Sequence, residues 1–344
     1  MTSPSPKKYA PAAPVAPVDP WSVREADFPA AGSSVEQLRF LARYAILAPS
    51  VRNAQPWRFQ VSEKRIGVYA DLSRRQLIAD RHGRDLYVSV GCALENLLVA
   101  AGHFGFRPEI DYFPLSRDDE LAAQVSFSAA RKTAPGRPSA QFKAITQRRT
   151  HHESYDGRPL TASQLNKLSS CCSEQGLALL LTQDASIRQA VGRMVLRADT
   201  LAIANPDYRR ELADCIGAGG YGAPGLMARV EQIAIAHFGA EKLITERHQA
   251  ELQSTPAFGL ISADNAGREA EIKAGRVLVR LYLTVNALGL CMQPVSMLLE
   301  FDAVKAEFSK LFRAGGVPLV PFRLGYPGAP AKPTPRRPLE EVLY

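Results

Sequence analysis

Apolar residues recur at helical spacing from Val35 through Leu38, Leu41, Ala42 and Ala45 to Ile46, which predicts an amphipathic helix ending before Pro49. The period then shortens. Trp57, Phe59 and Val61, followed by Ile66 and Val68, alternate with polar residues around Glu63-Lys64, so residues 57–70 read as two strands joined by a turn. The helical period returns over 85–104, and 124–128 reads as a further strand. Residues 131–139 carry two prolines, a glycine and three charges; such a stretch cannot continue a helix or a central strand and marks an internal linker. Beyond it the elements repeat in a similar order: a helix over 162–173, a strand over 177–182 and helices between 185 and 246. A strand over 257–262, a long helix over 269–288 and a strand over 317–324 complete the series.

The two long helices can be set side by side at one constant offset. Gly91 then faces Gly275, Leu94 faces Leu278, Leu97 faces Leu281, Gly105 faces Gly289 and Phe106 faces Leu290. Helical spacing alone reproduces the leucines. The glycines in register at both ends are the informative part and indicate a duplicated unit. The earlier helices also pair, Leu38 and Leu41 with Leu165 and Leu168, but the second unit reaches its strand sooner and lacks the loop 49–56. The expected domain plan is a Pro/Ala-rich disordered tail over 1–20, a first unit over 21–130 and a second over 140–344.

Composition changes this picture little. At 344 residues, with 46% apolar and 22% charged residues, the chain has ordinary globular composition and enough length for a large core. The apolar stretches 88–106 and 277–292 are interrupted by Glu95, Asn96 and His103 and by Arg280 and Asn286, which points to buried core helices and not to a membrane span. No signal-peptide core stands in the tail, and the five cysteines are odd in number and outside metal-ligand spacing. The expectation is a cytoplasmic protein with reduced thiols. Cys171 and Cys172 read as small buried residues in a helical stretch. A net charge of +8 without a basic stripe interleaved with aromatics argues against nucleic acid and for an anionic small molecule.

Four stretches carry candidate chemistry. Ala48-Pro-Ser-Val-Arg-Asn-Ala-Gln-Pro-Trp57 offers Ser50, Arg52, Asn53 and Gln55 in a helix-to-strand loop, either to a polar planar ligand or to its own backbone. Gln147-Arg-Arg-Thr-His-His152 places two guanidinium groups before a hydroxyl, fit for a phosphate, for the anionic edge of a flavin ring, or for plain solvation. Adjacent His151 and His152 seldom face one ion, and no metal site is expected. Leu288-Gly-Leu-Cys-Met-Gln-Pro-Val-Ser296 follows a helix that Gly289 can end, leaving backbone N–H groups for a ligand or for a buried cap. Lys332-Pro-Thr-Pro-Arg-Arg-Pro338 is a stiff segment holding Arg336 and Arg337, suited to a phosphate or simply a basic tail.

Taken together and in this order, "PSVRNAQPWRF", "RRTHHESYDGRPL", "LGLCMQPVS" and "PRRPLEEVL" resemble the FMN-dependent nitroreductase family, in particular its long, fused, Acg-like branch. The resemblance runs from about Trp21 to the C-terminus. It implies an α+β nitroreductase-like fold of two homologous units fused as a pseudo-dimer, each a mainly antiparallel sheet flanked by helices. Ordinary members of that family build each FMN site from an arginine-rich start, a middle loop and a basic strap of one subunit, with a Pro-Ser…Asn-x-Gln-Pro-Trp loop lent by the other. Carried over, the start is Arg148, Arg149 and Thr150, the middle loop Gln293, Pro294, Val295 and Ser296, and the strap Arg336 and Arg337. The lent loop is Pro49, Ser50, Asn53 and Gln55. Arg52 departs from many relatives, which carry a smaller or different polar residue there.

The second unit holds three of these pieces and the first holds only the loop, so one FMN per chain is expected, in a chain that can act as a monomer because its pseudo-dimer is internal. The implied function is NAD(P)H-dependent reduction of nitroaromatic, quinone or related acceptors, by ping-pong hydride transfer through flavin N5. The flavin performs that chemistry and no catalytic side chain is named. The alternative is a flavin-sequestering protein with little turnover, its site covered by a glycine-rich lid over 213–230. A third possibility is a structural protein that binds no flavin.

Overall fold

The computed structural model describes residues 19–115, 119–129, 139–217, 241–312, 316–329 and 331–344. Most of the tail, the linker apart from Ser139, and the lid beyond Gly217 lie outside the described residues. The first helix, α1 (Ser34–Ala45), begins on a capping box in which the Ser33 hydroxyl accepts from the Glu36 N–H while the Glu36 carboxylate accepts from the Ser33 N–H. Strands β1 (Trp57–Val61) and β2 (Arg65–Ala70) follow, then α2 (Arg84–His103), β3 (Phe106–Tyr112) and β4 (Leu121–Ala129). The second series runs α3 (Ala140–Gln147), α4 (Ala162–Ser169), β5 (Leu177–Thr182), α5 (Ala185–Ala204) and α6 (Pro206–Gly217). From residue 241 it continues with α7 (Glu241–Gln253), β6 (Ala257–Ala263), α8 (Arg268–Ala287), β7 (Cys291–Pro294), α9 (Asp302–Leu311) and β8 (Val317–Gly325).

Both sheets are four-stranded and antiparallel, and their strands stand in the same order. The first is β1-β2-β4-β3 and the second β5-β6-β8-β7, with the long helix of each unit inserted between its second and third strands. The duplication read from paired glycines is therefore a duplication of topology. The glycines themselves mark the pseudo-twofold: a Cβ on Gly91 would stand 2.1 Å from the Ile272 carbonyl oxygen, and one on Gly275 would stand 2.0 Å from that of Val88. α2 and α8 thus touch backbone to backbone at their crossing. Gly105 and Gly289 form the other matched pair, each just past its helix at φ +80° and +68°, the left-handed turn that ends a helix.

Charges within these apolar helices are used at the same crossing. Glu95 of α2 accepts from Arg276 Nε at 2.8 Å and from Arg280 Nε at 2.6 Å, both on α8, and Arg280 also reaches Glu174 at 2.7 Å. α2 is long and apolar enough to cross a bilayer, yet 78% of its apolar window is buried within the protein. One apolar cluster runs through both units, from Val23 to Val342. The chain's end also crosses over: Phe59 N–H donates to the Val342 carbonyl at 2.7 Å and Tyr344 N–H to the Phe59 carbonyl at 2.9 Å, which covers the exposed edge of β1.

Four elements were not anticipated. β3 contains Pro108, which argues against a strand, but β3 is the sheet edge, where a missing N–H is tolerated. β7 is four residues long, too short to show a period, and α3 and α9 are short helices. α4 stops at Ser169, so Cys171 and Cys172 lie in the turn after it and not in a helix; all five cysteines are free thiols.

Away from the crossing, α5 and α7 are joined by His248 Nδ1 and Asp199 Oδ2 at 2.7 Å. Burial alone would lower the imidazole pKa, but the hydrogen bond and charge of Asp199 outweigh it, and the His248 pKa is raised. A raised imidazole contributes stability that is complete below its unfolded value of about 6.5 and is lost as pH rises through the folded value. Thermal midpoints measured between pH 5.5 and 8.5 are expected to fall with pH by roughly 2–4 °C for each kcal/mol lost. Asp199→Asn flattens that slope.

Candidate functional site

Three arginines meet where the two units join. Arg148 ends α3, and its Nη2 donates to the Leu47 carbonyl, just past α1, at 3.3 Å. Arg336, from the C-terminal strap, donates to the same oxygen at 3.4 Å. Arg149 lies beside them, its own Nη1 turned back to the carbonyls of Thr146 and Arg148. Arg148 is 3% and Arg336 8% exposed, yet none of the three forms an ion pair among the described residues. The Nε atoms of Arg148 and Arg336 are buried without any hydrogen-bond partner.

The electrostatics follow from that crowding. Burial, with Arg149 adding repulsion, pushes Arg148 down to about 10; burial and the charges of Arg148 and Arg149 push Arg336 down as well. Guanidinium groups stay protonated at neutral pH even so. The protein therefore holds buried positive charge with unused donors, an arrangement that costs stability until an anion with several acceptor oxygens joins it.

The loop 50–55 shapes this cluster through strain. Arg52, Asn53 and Gln55 all sit at positive φ (44°, 58° and 51°), which L side chains adopt at a cost of order 1–3 kcal/mol each. The strained loop clasps the strap. Asn53 Oδ1 accepts from Arg336 Nη1 at 2.8 Å and its Nδ2 donates to the Pro335 carbonyl at 2.9 Å, while Gln55 Oε1 accepts the Arg337 N–H at 2.9 Å. Ser50 supports the loop from inside, its hydroxyl accepting the Gln55 N–H at 2.9 Å. Pro49 is buried beside it. Asn53 and Gln55 are thus committed to the strap, through which they act on the arginines.

The other residues singled out from the sequence divide. Thr150 meets the buried Tyr282 hydroxyl at 3.2 Å, and the Tyr282 ring lies 5.2 Å from the Arg148 guanidinium carbon. Arg337 does not join the cluster: its guanidinium turns to Glu341 at 3.2 Å. Of the two readings of the segment after Gly289, amides for a ligand or a buried cap, the structure shows the cap at Gly289 and Leu290. Gly289 and Leu290 N–H groups are taken by the Asn286 and Val285 carbonyls, 291–294 pair with β8, and Val295 N–H donates to Pro321. The Gln293 amide is occupied at both ends, accepting from Arg323 Nε at 2.6 Å and donating to His152 Nδ1 at 2.9 Å. Burial, with Arg247 and Arg323 close by, holds the His152 imidazole down at about 3, so it is neutral and accepts that bond. Pro294 and Ser296 are half-buried, and Ser296 opens a short 3₁₀ turn.

That turn reaches the first unit through Glu300. Arg52 lies 3.6 Å from Glu300 and 3.5 Å from Glu211, donates to the Tyr208 hydroxyl, and stacks over the Tyr208 ring. The departure at Arg52 thus ties the loop to α6. All four stretches belong to one connected region: arginine start to middle loop through the bond from His151 N–H to the Met292 carbonyl, loop to strap through Asn53 and Gln55, loop to turn through Arg52.

Sequence reasoning missed Trp21, Tyr282 and Arg323. Arg323 is 2% exposed, a charge inside an otherwise apolar strand, and that mismatch was its only signal. Among the described residues no three His, Cys, Asp or Glu side chains gather as a metal site requires. A surface hollow of about 550 Å³, lined by Glu36, Arg39, Arg43 and Tyr344 among others, shares no residue with the arginine cluster.

Comparison with known proteins bears on the fold. A Mycobacterium tuberculosis protein is 28% identical over 324 residues, 90% of this chain and 91% of its own length. The protein named acg from the same organism is 22% identical over 325 residues, 90% of this chain and 96% of its own. A crystal structure from Anabaena variabilis superimposes with a TM-score of 0.53 over 82% of both chains at 11% identity, and so shares the two-unit fold. Over most of its length the chain is similar to proteins that carry nitroreductase names, and it has the nitroreductase fold. All three relatives bear "putative" nitroreductase names, and no family model matches the chain. The similarity to the mycobacterial relatives extends through both units.

Proposed function

We propose that the chain binds one FMN and passes electrons from NADH or NADPH to a small nitroaromatic, quinone or related acceptor. The observation that carries this reading is the convergence of Arg148, Arg149 and Arg336, charged, largely buried, without an ion pair and with two Nε–H groups unused among the described residues. A phosphate monoester supplies the dianionic charge and the acceptor oxygens such a cluster lacks. FMN carries that group, whereas riboflavin does not.

FMN, when bound, supplies the hydride acceptor and donor chemistry. This chain's residues do the rest. Arg148, Arg149 and Arg336 hold the phosphate, Asn53 and Gln55 fix the strap that carries Arg336, and Thr150 with Tyr282 holds the segment that follows Arg148. Arg323 and His152 lock Gln293, so the middle loop presents a rigid edge without reorganisation. The second unit supplies the arginines and strap and the first supplies the loop, which makes one such site per chain.

A second reading, a flavin-sequestering protein, is favoured by one observation. Arg52 fastens the loop to Tyr208 and Glu211 of α6 and to Glu300, a tie that would hold α6 beside the loop and restrict access to it. Two measurements test these readings. The purified full-length chain is expected to absorb in the flavin bands with one equivalent of FMN, and a colourless protein or two equivalents would overturn the proposed site. Mixed anaerobically with NADH or NADPH, the bound flavin is expected to bleach and to recover on adding an acceptor. Flavin that stays oxidised with both donors rejects turnover and leaves the sequestering reading.

A further inference from the structure

The N-terminal segment ahead of α1 reaches the arginine cluster. The Trp21 indole packs against two guanidinium groups, 4.2 Å from Arg149 and 4.9 Å from Arg336 measured from the guanidinium carbon to the ring centroid. Its Nε1 donates to the Thr334 carbonyl at 2.9 Å, which fixes the ring against the strap two residues before Arg336. A short 3₁₀ turn, capped by Asp19 accepting the Trp21 N–H, holds its backbone. Asp19 is also the charge that partly offsets the burial of Arg149.

Two like charges this close would separate or recruit a carboxylate. A carboxylate in the gap would neutralise both and compete with any incoming anion. An aromatic face instead attracts each cation through its quadrupole while leaving the guanidinium N–H groups able to donate in their own planes. The ring thus keeps Arg149 and Arg336 together, ordered and still charged. Few other side chains can do all three.

Resting on the FMN reading above, we propose that Trp21 is a positioning residue for phosphate recognition: it holds the Arg149 and Arg336 guanidinium groups against one ring and so orders both for a phosphate monoester. The role is specific to the phosphate end of the cofactor. It involves no bond making and no contact with the reacting ring.

The test compares flavin release from full-length Trp21→Ala, Trp21→Leu and Trp21→Phe with the unsubstituted protein, each loaded with FMN or with riboflavin, by recovery of flavin fluorescence on dilution. Trp21→Ala and Trp21→Leu are expected to release FMN roughly tenfold faster, as the loss of about 1.4 kcal/mol implies. Riboflavin release stays unchanged. Trp21→Phe, which keeps an aromatic face, is expected to stay within about threefold of the parent. Trp21→Leu keeps apolar bulk and serves if the alanine variant does not fold. FMN release at the parent rate, or equal acceleration of FMN and riboflavin, overturns the proposal. A parent protein that binds no flavin overturns the functional reading instead, and the two failures are thereby distinct.

Discussion

Arg148→Ala is expected to be purified with little or no flavin, its affinity for added FMN lower by about 10–100-fold, the range expected for hydrogen bonds to a charged group. Arg148 supplies donors from a site that is 3% exposed. The double variant Arg148→Ala/Arg336→Ala is expected to bind FMN no more tightly than it binds riboflavin. Arg337→Ala is the control: its guanidinium faces Glu341, and only its backbone N–H meets Gln55, so flavin content should be nearly unchanged. Equilibrium titration followed by flavin fluorescence reads all three. A second readout separates loss of the ligand from loss of the fold. Because Arg148 is a buried charge without a carboxylate, its removal is expected to leave the thermal midpoint of the flavin-free protein no lower than before, while abolishing the rise that added FMN produces. Equal FMN affinity in Arg148→Ala and the parent would remove this arginine from the site.

The second large effect lies at the helix crossing. Gly275→Val, and Gly91→Ala to a lesser degree, are expected to destabilise the chain by about 3 kcal/mol or more, or to prevent soluble expression. The added Cβ would stand 2.0–2.1 Å from a backbone carbonyl oxygen of the opposite helix, and neither oxygen can rotate away as a side chain could. The helices must separate. Separation would also pull Arg276 and Arg280 from Glu95, leaving buried charge unpaired. Gly102→Ala, in the same helix but with nothing within 4 Å of its Cβ position, is expected to be neutral or stabilising by up to about 1 kcal/mol, since alanine is the better helix former. Thermal unfolding of the variants decides this, and a Gly275→Val protein that melts with the parent would show that the helices do not meet there.

The sequence announced most elements because their apolar periods were long and their ends capped. α1, with its Ser33–Glu36 box, and the β1–β2 hairpin fall within a residue or two of the reading. β3 was hidden by a proline that only an edge position tolerates, and β7 by its four-residue length. Within the site, the arginine pairs and the Asn53–Gln55 loop were legible as unusual concentrations of donors and amides. Their division of labour was not. Arg336 and Arg337 are neighbours of the same type, yet one is buried against Leu47 and the other is exposed beside Glu341. A stretch of sequence cannot tell which of two adjacent arginines faces inward until the strap's partner surface exists.

By itself, then, the sequence determined the local elements, the repeated unit and the residue types available to hold an anion, because periodicity, caps and donor chemistry are properties of neighbours along the chain. Tertiary structure alone decided that Gly91 and Gly275 are a contact and not a coincidence of spacing, that the Gln293 amide is already spent on Arg323 and His152, and that Trp21 packs against both Arg149 and Arg336. Each of these joins residues far apart in sequence. Burial gives such contacts their energy: it makes an extra methyl at a helix crossing intolerable and a cluster of unpaired guanidinium groups a binding site for an anion.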